Sequence, residues 1–308
     1  MTENVADSAT SRPRRFALRS NRNLLGYLLV LPTLLVVLGV TLYPTLDGVR
    51  IAFTDASLLQ PDAVRYIGLE NFRTLFESDI FWLALRHSLL LTVVAVSIQF
   101  VLGLVLAHLL VTEIPGMQIF RSVAMVTWVL PIIATVVMFK FMSAADYGFF
   151  NILLTQVGLD DLTRYWFGDR TYAFAMIVVM HVWRNVPFYA VAFMAAMQAI
   201  PEQLYEAARI DGASSWAQLR FITLPNLRYI IQVMIILHVT FTFNNFDFIY
   251  LSTGGGPVNA TEVLPTYAYK QAWEGYALGY GAASGVIMLL VLVGVTLLYL
   301  RLVGGTDD

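Results

Sequence analysis

The side chains best suited to hold a polar solute lie inside two of the most apolar stretches of the chain. One stretch contains "HVWRNVPF", which puts Arg184 and Asn185 near its middle, with Pro187 just beyond to loosen the helix. The other carries Thr240, Thr242, Asn244, Asn245 and Asp247, interleaved with Phe241, Phe243, Phe246 and Tyr250. Amides and carboxylates hydrogen-bond a polar solute in fixed directions, and aromatic faces cover its C–H surfaces. Polar groups are costly in a hydrocarbon phase, so those found there face an interior cavity or each other. Two readings fit the pattern. In one, Arg184, Asn244, Asn245, Asp247 and Tyr250 line a low-affinity path. In the other, Arg184 pairs with Asp247 and the amides tie helices together. His181 and His238 fit interhelical hydrogen bonding better than proton carriage.

The elements that must position these groups are membrane spans. Of the 308 residues 58% are hydrophobic and 13% charged, and mean hydropathy is +0.69. A soluble domain carries about 25% charged residues, so this chain has too few charges to coat a water-facing surface. The net charge of −2 and the absence of long basic runs argue against a nucleic-acid partner. With no cysteine there is neither a disulfide nor a thiolate metal site. Crossing a bilayer takes about 20 apolar residues. Stretches near Leu24–Leu46, Arg86–Val111, Ser122–Met142, Tyr172–Gln198, Tyr229–Leu251 and Gly281–Leu302 approach or exceed that length. The first follows Arg12, Arg14, Arg15, Arg19 and Arg22. It is longer than the apolar core of a secretory signal and lacks a small-residue cleavage site, so it is expected to remain as a span. The dense arginine cluster sets the orientation, with both termini cytoplasmic.

Two connections stand out. "LENFRTLFESDIFWLAL" has apolar residues at helical spacing and is expected as an amphipathic helix on the outer membrane surface. The connection between the fourth and fifth spans, expected in the cytoplasm, contains "EAARIDGASSWAQLRFITLP". Pro201 and Glu202 suit the start of a helix. Gly212 suits its C-terminal stop, and Ser214 or Ser215 can cap a second short helix, which Pro225 is expected to end. Trp216, Leu219 and Ile222 form an apolar stripe, and small Ala207 and Ala208 permit close approach of another backbone. Pattern alone leaves two surfaces open for this segment, lipid headgroups or a groove on a protein partner.

Glu206, Ala207, Ala208, Gly212, Ile222, Leu224 and Pro225 follow the order of the EAA motif, and the segment resembles that of binding-protein-dependent ABC importer permeases. "IPEQLYEAARIDGAS", "YIGLENF" and "FDFIYLSTGGGP" are similar to the carbohydrate-uptake branch, the maltose and glycerol-phosphate type, and to the first of its two permease subunits. The resemblance covers nearly the whole chain. It implies an all-α integral membrane protein with the type I ABC importer permease fold: a cytoplasmic tail over 1–23 and a six-span permease domain over 24–308, with a coupling loop at about 199–228. It further implies that Glu206, Ala207, Ala208, Asp211 and Gly212 seat in an ATPase subunit, Gly212 supplying the bend and Glu206 meeting a basic group. The path residues would then serve a sugar. Gly254, Gly255, Gly256 and Pro257 would form either a plain turn or a contact with an external binding protein. The implied partners are a second permease subunit in a heterodimer, two ABC ATPases, an extracytoplasmic solute-binding protein, a sugar-type substrate and lipid, all at the bacterial cytoplasmic (inner) membrane.

The chain has no G-x-x-x-x-G-K-[ST] phosphate loop, so ATP and Mg would reside on the ATPases, with no cofactor on this chain. It also lacks H-E-x-x-H and G-x-S-x-G, which argues against a membrane hydrolase. An ion-coupled secondary transporter or channel could use Arg184, Asp247 and the two histidines as a charge relay. It would leave the EAA-type loop unexplained.

Overall fold

The computed structural model describes residues 22–112 and 114–304, with side chains for 26–112 and 114–302. The arginines at 12, 14, 15 and 19, and the expected tail as far as residue 21, lie outside the described residues. The chain divides into two units, 1–50 and 51–308. In the first, α1 (Arg22–Val36) runs through a π turn (Val37–Leu42) into α2 (Tyr43–Ile51). This makes one apolar span, Gly26–Ile51, whose side chains are exposed or half-exposed up to Arg50.

In the second unit the helices are α3 (Glu70–Glu77), α4 (Asp79–Leu110), α5 (Met117–Val129), α6 (Ile132–Met142), α7 (Phe149–Gln156) and α8 (Tyr172–Met197). They are followed by α9 (Glu202–Ile210), α10 (Ser215–Gln218), α11 (Leu224–Phe243), α12 (Asp247–Ser252), α13 (Leu264–Tyr269) and α14 (Leu278–Gly304). Among the described residues the only β pairing is the isolated bridge Thr54–Tyr66. Among the described residues five helices are long and apolar enough to cross a membrane, and six spans result if the bent pair α5–α6 counts as one.

Four expectations are corrected. The third span is not straight: α5 and α6 meet at 95°. Pro131 has no N–H to continue a helix and forces Leu130 into extended backbone (ψ 137°). The fifth span starts earlier than expected and is broken. One helix, Ser215–Phe243, stops at Asn244, and α12 begins three residues later. Pro225 does not end the second short helix, because α10 continues through a π turn (Leu219–Thr223) into α11. A proline clashes with the carbonyl four residues earlier, here that of Phe221, and a widened turn relieves the clash. The same device precedes Pro44, where Val40 lies within the π turn of the first span. Finally, the expected surface helix is divided at Ser78, whose Oγ accepts from the Phe81 N–H at 3.3 Å and caps α4. Phe72 and Leu75 of α3 are buried, and α3 packs on α14.

The core forms where α4 and α8 run along each other. Tyr189, Ala190 and Phe193 of α8 pack with Ala107 and Leu110 of α4 and Leu227 of α11. The approach depends on Gly103, because a Cβ there would collide with the Tyr189 side chain. The opposite faces of α4 and α14 stay apolar and exposed, through Val93, Val101 and Val105 and through Leu290, Leu297 and Leu298. They present a surface for lipid or for a neighbouring membrane subunit.

The Gly103 contact is testable. Gly103→Leu overfills the α4–α8 seam and should cost about 1–3 kcal/mol, read as a fall in the Tm of the detergent-solubilised chain. Gly285→Ala, which meets no atom within 4 Å, should leave Tm unchanged or raised. Equal behaviour of the two variants would remove the seam from the account of stability.

Candidate functional site

The breaks at Leu130–Pro131 and Asn244–Phe246 border one cavity of about 350 Å³. It is lined by Trp128 and Ile132 beside the first break, by His181, Arg184, Asn185 and Phe188 of α8, and by Leu237, His238, Phe241, Thr242 and residues Asn244 to Phe248 around the second. A helix end in an apolar phase leaves backbone groups that need partners. Arg184 supplies one, its Nη2 donating to the Leu130 carbonyl at 3.0 Å. Asn245 Oδ1 accepts from the Phe248 N–H at 3.1 Å, and Asn244 Nδ2 donates to the Thr240 carbonyl at 3.1 Å. The structure thus brings Arg184, Asn244, Asn245 and Asp247 to one cavity. Arg184 and Asp247 do not form an ion pair; the partner of the guanidinium is the carbonyl at the bend.

Tyr250 stands apart from this lining. It stacks on Phe246 with ring centroids 4.7 Å apart and meets Tyr269 edge-on at 5.1 Å, at the end of the cavity toward α13. His181 and Asn185 are internal braces. Gln99 Nε2 lies 2.8 Å from His181 Nδ1, and Asn185 Nδ2 donates to the His181 carbonyl at 2.8 Å. His238 is held against the Tyr189 ring at 4.3 Å. Sequence reasoning missed Trp128 and Phe188, which stack at 4.9 Å with 19° between their planes and both line the cavity. The signal was Pro131, since the bend it imposes carries Trp128 to the cavity wall. Two polar atoms, Arg184 Nε and Thr242 Oγ1, are buried there without a partner.

The connecting loop is built from its caps. Pro201 sits at the N-cap of α9. At the other end Gly212 takes φ +75°, with its N–H donating to the Arg209 carbonyl at 3.1 Å, and the Ala213 N–H donates to the Ala208 carbonyl at 2.8 Å. That geometry favours glycine because a Cβ is strained at positive φ. Ser214 Oγ then accepts from the Ala217 N–H at 3.3 Å and starts the next helix. Tyr205 OH lies 2.9 Å from Thr223 Oγ1, and Gln218 Nε2 donates to the Ala213 carbonyl at 3.1 Å. These bonds clamp α9 to the foot of the 29-residue helix Ser215–Phe243. Glu206, Ala207, Asp211 and Gly212 are exposed and Ala208 is half-buried. Beside them Ile210 is 86%, Phe221 71% and Trp216 67% exposed, an apolar rim around a charged, small-residue face.

The glycine-rich segment is a folded loop that packs on charged groups. Gly254 and Gly255 have φ of +59° and +87°, the Gly256–Pro257 bond is cis, and Val258 and Asn259 also lie at positive φ. Thr261 Oγ1 donates to the Gly256 carbonyl at 2.7 Å. Gly255 is buried, and a Cβ there would strike the Glu262 carboxylate and the Lys270 ammonium, which form an ion pair. Leu264 N–H donates to Ser88 Oγ at 2.8 Å and His87 Nδ1 lies 3.1 Å from the Glu262 carbonyl, which ties the loop to α4. Only Val258, at 75%, is strongly exposed. Sequence reasoning missed Glu262 and Lys270; the polar pair in a buried stretch after the glycines was the available cue.

Residues 99–305 match the family of binding-protein-dependent transport system inner membrane components, and the chain belongs to it. The family consists of ABC transporter permeases, membrane subunits without catalysis of their own, whose ATPase is a separate protein. The chain is 32% identical over 284 residues to a probable ABC transporter permease, YurN, of Bacillus subtilis, which covers 91% of this chain and 97% of the relative. It is also 32% identical over 277 residues to the trehalose/maltose transport system permease MalF of Thermococcus litoralis, covering 90% and 92%. A chain of a bacterial alginate ABC transporter, solved in complex with an alginate pentasaccharide-bound periplasmic protein, shares the fold with a TM-score of 0.79 at 24% identity, covering 91% of this chain and 94% of that one. The fold is that of a type I ABC importer permease.

The contacts of Gly255 separate its two constraints. Gly254→Ala pays only for left-handed backbone, about 1–2 kcal/mol, whereas Gly255→Ala must also displace Glu262 and Lys270. Gly255→Ala should therefore give the larger fall in Tm. Equal falls would mean that the packing on Glu262 contributes nothing.

Proposed function

We propose that this chain is the permease subunit through which an ATP-driven importer passes a sugar or sugar derivative, delivered by an extracytoplasmic binding protein, across a bacterial cytoplasmic membrane. The observation that carries the proposal is the single helix Ser215–Phe243, with the exposed, clamped loop at one end and the break beside the cavity at the other. At 1.5 Å per residue its 29 residues reach about 43 Å, enough to span the hydrocarbon core and link the two sites as one rigid element.

In this reading both termini and the 199–228 loop are cytoplasmic, residues 1–23 form a tail, and 24–308 form the permease domain. The face made by Glu206, Ala207, Ala208, Asp211 and Gly212 seats in a cleft of an ABC ATPase. Small alanines allow close approach, Ile210 and Trp216 supply apolar contact, and Glu206 pairs with a basic group. Two ATPases, which hold the ATP and Mg, close and draw this loop toward that of a second permease subunit. The motion is a rigid-body one, carried by the docked element. Arg184, Asn244, Asn245 and Asp247 offer directional hydrogen bonds to hydroxyls, with the Trp128 and Phe188 rings as an apolar face and Tyr250 farther along the path. The relatives named for trehalose/maltose transport and for alginate support a sugar substrate. The loop at Gly254, Gly255, Gly256 and Pro257, on the face opposite the coupling loop, meets the binding protein through its Val258 tip. The family assignment leaves the ion-coupled secondary transporter without support.

One set of uptake assays tests both sites. Gly212→Asp strains positive-φ backbone and should cut ATP-driven uptake about tenfold or more while the chain still inserts. Asn245→Ala and Asp247→Ala should reduce uptake with the ATPases still bound. Normal uptake in Gly212→Asp would overturn the coupling assignment, and normal uptake in both others would return those residues to a purely structural role.

A further inference from the structure

A second cavity is larger than the central one. A volume of about 650 Å³ opens where α6 ends and the 143–171 connection folds back over it. Phe141, Tyr147, Tyr165 and Phe167 give it aromatic walls, and Lys140 and Asp146 add a cation and an anion that do not pair with each other. Ser143 also lines it, is only 2% exposed, and has a buried Oγ without any hydrogen-bond partner. A buried hydroxyl that makes no bond is costly. The Oγ itself is closed off from the cavity, so Lys140 and Asp146 are the polar groups that a ligand there meets.

The walls are held in shape. Asn151 joins the two segments that form them: its Nδ2 donates to the Ala145 carbonyl at 3.0 Å and to the Arg164 carbonyl at 2.9 Å, and its Oδ1 accepts from the Arg164 N–H at 3.1 Å and from Trp166 Nε1 at 2.9 Å. Gly168 lies against the Tyr165 ring so closely that a Cβ there would displace it. A preformed, mostly apolar pocket with a few directed polar groups is the usual form of a small-molecule site. Aromatic faces beside unpaired polar groups suit a saccharide, whose C–H faces and hydroxyls need both.

Resting on the sugar-importer reading above, we propose that this cavity is a second saccharide site, distinct from the central one. One helix carries both. Ile132 at the start of α6 lines the central cavity, while Val137, Lys140 and Phe141 near its end line the outer one. Nine helical residues separate Ile132 from Phe141, about 13 Å along the axis. The chain's alternation across the spans puts the outer cavity on the same face as the 253–262 loop, opposite the coupling loop. A sugar arriving on that face is held there before it enters the central cavity.

The test uses the assembled transporter in phospholipid nanodiscs free of glycolipid and without binding protein. Maltotriose, diacetylchitobiose and a mannuronate trisaccharide serve as probes, with binding read by saturation-transfer NMR. At least one probe should bind and persist in Asn245→Ala, and its affinity should fall at least about fivefold, the worth of one hydrogen bond or ring face, in Tyr165→Ala and in Asp146→Ala. Asp146→Ala removes an exposed carboxylate with no internal bond, so its folding is preserved and its result is interpretable. Binding abolished by Asn245→Ala and untouched by the outer variants would overturn the second site and leave the importer reading intact. Failure of all three probes would also overturn it, with ATP-driven sugar uptake read separately. Unchanged saccharide affinity with weakened binding-protein association in Tyr165→Ala would make the cavity a protein contact instead.

Discussion

A helix that breaks inside a hydrocarbon phase must find partners for the backbone groups it releases, and no water is there to supply them. That constraint organises this permease. The α5–α6 bend frees the Leu130 carbonyl, and Arg184 reaches across from α8 to bond it. Where α11 stops, Asn244 bonds back to Thr240 and Asn245 caps α12 through the Phe248 N–H. The polar side chains that invite a transport role are therefore first the stitches of two broken spans. Because both breaks border the same space, stitching them creates a polar cavity in a membrane core. In the proposed function, structure and transport draw on the same residues, so their loss affects both.

The complementary requirement is continuity. Prolines at 44 and 225 would ordinarily interrupt a span, yet each follows a π turn that moves the obstructing carbonyl aside. At Pro225 this preserves a single helix from the 199–228 loop to the cavity. The loop is joined to the foot of that helix by Tyr205–Thr223 and Gln218–Ala213, so a force on α9 is delivered to α11 and not absorbed in a hinge. The bend that does exist, at Gly212, lies inside the loop and shapes its exposed face.

Composition and periodicity carried the reading of the sequence a long way. Apolar length marked each span, and residue order in the EAA segment marked the helix pair between the fourth and fifth spans, its glycine stop and its Ser214 cap. Geometry carried by backbone groups was not legible. No pattern shows that Arg184 binds a carbonyl 54 positions away, so pairing with Asp247 stayed open as one of two readings. Pro131 announced the bend, but its angle depends on how α6 packs against α12. Pro225 was read by its usual effect because the π turn that accommodates it has no distinct sequence mark. Glu262 and Lys270 read as ordinary loop charges until the glycine turn folded over them. The outer cavity was equally hidden, since Ser143, Asn151 and Tyr165 become related only when the 143–171 connection closes.

The central claim is that the 199–228 loop governs access to the cavity through the Ser215–Phe243 helix. The chain contains no cysteine, so Asn245→Cys gives this chain one thiol, at the cavity. In the assembled transporter, labelling of that position by a membrane-impermeant reagent added from outside should rise when ATP binds, and Gly212→Asp should abolish the rise. An ATP-dependent rise of the same size in the Gly212→Asp background would contradict the account.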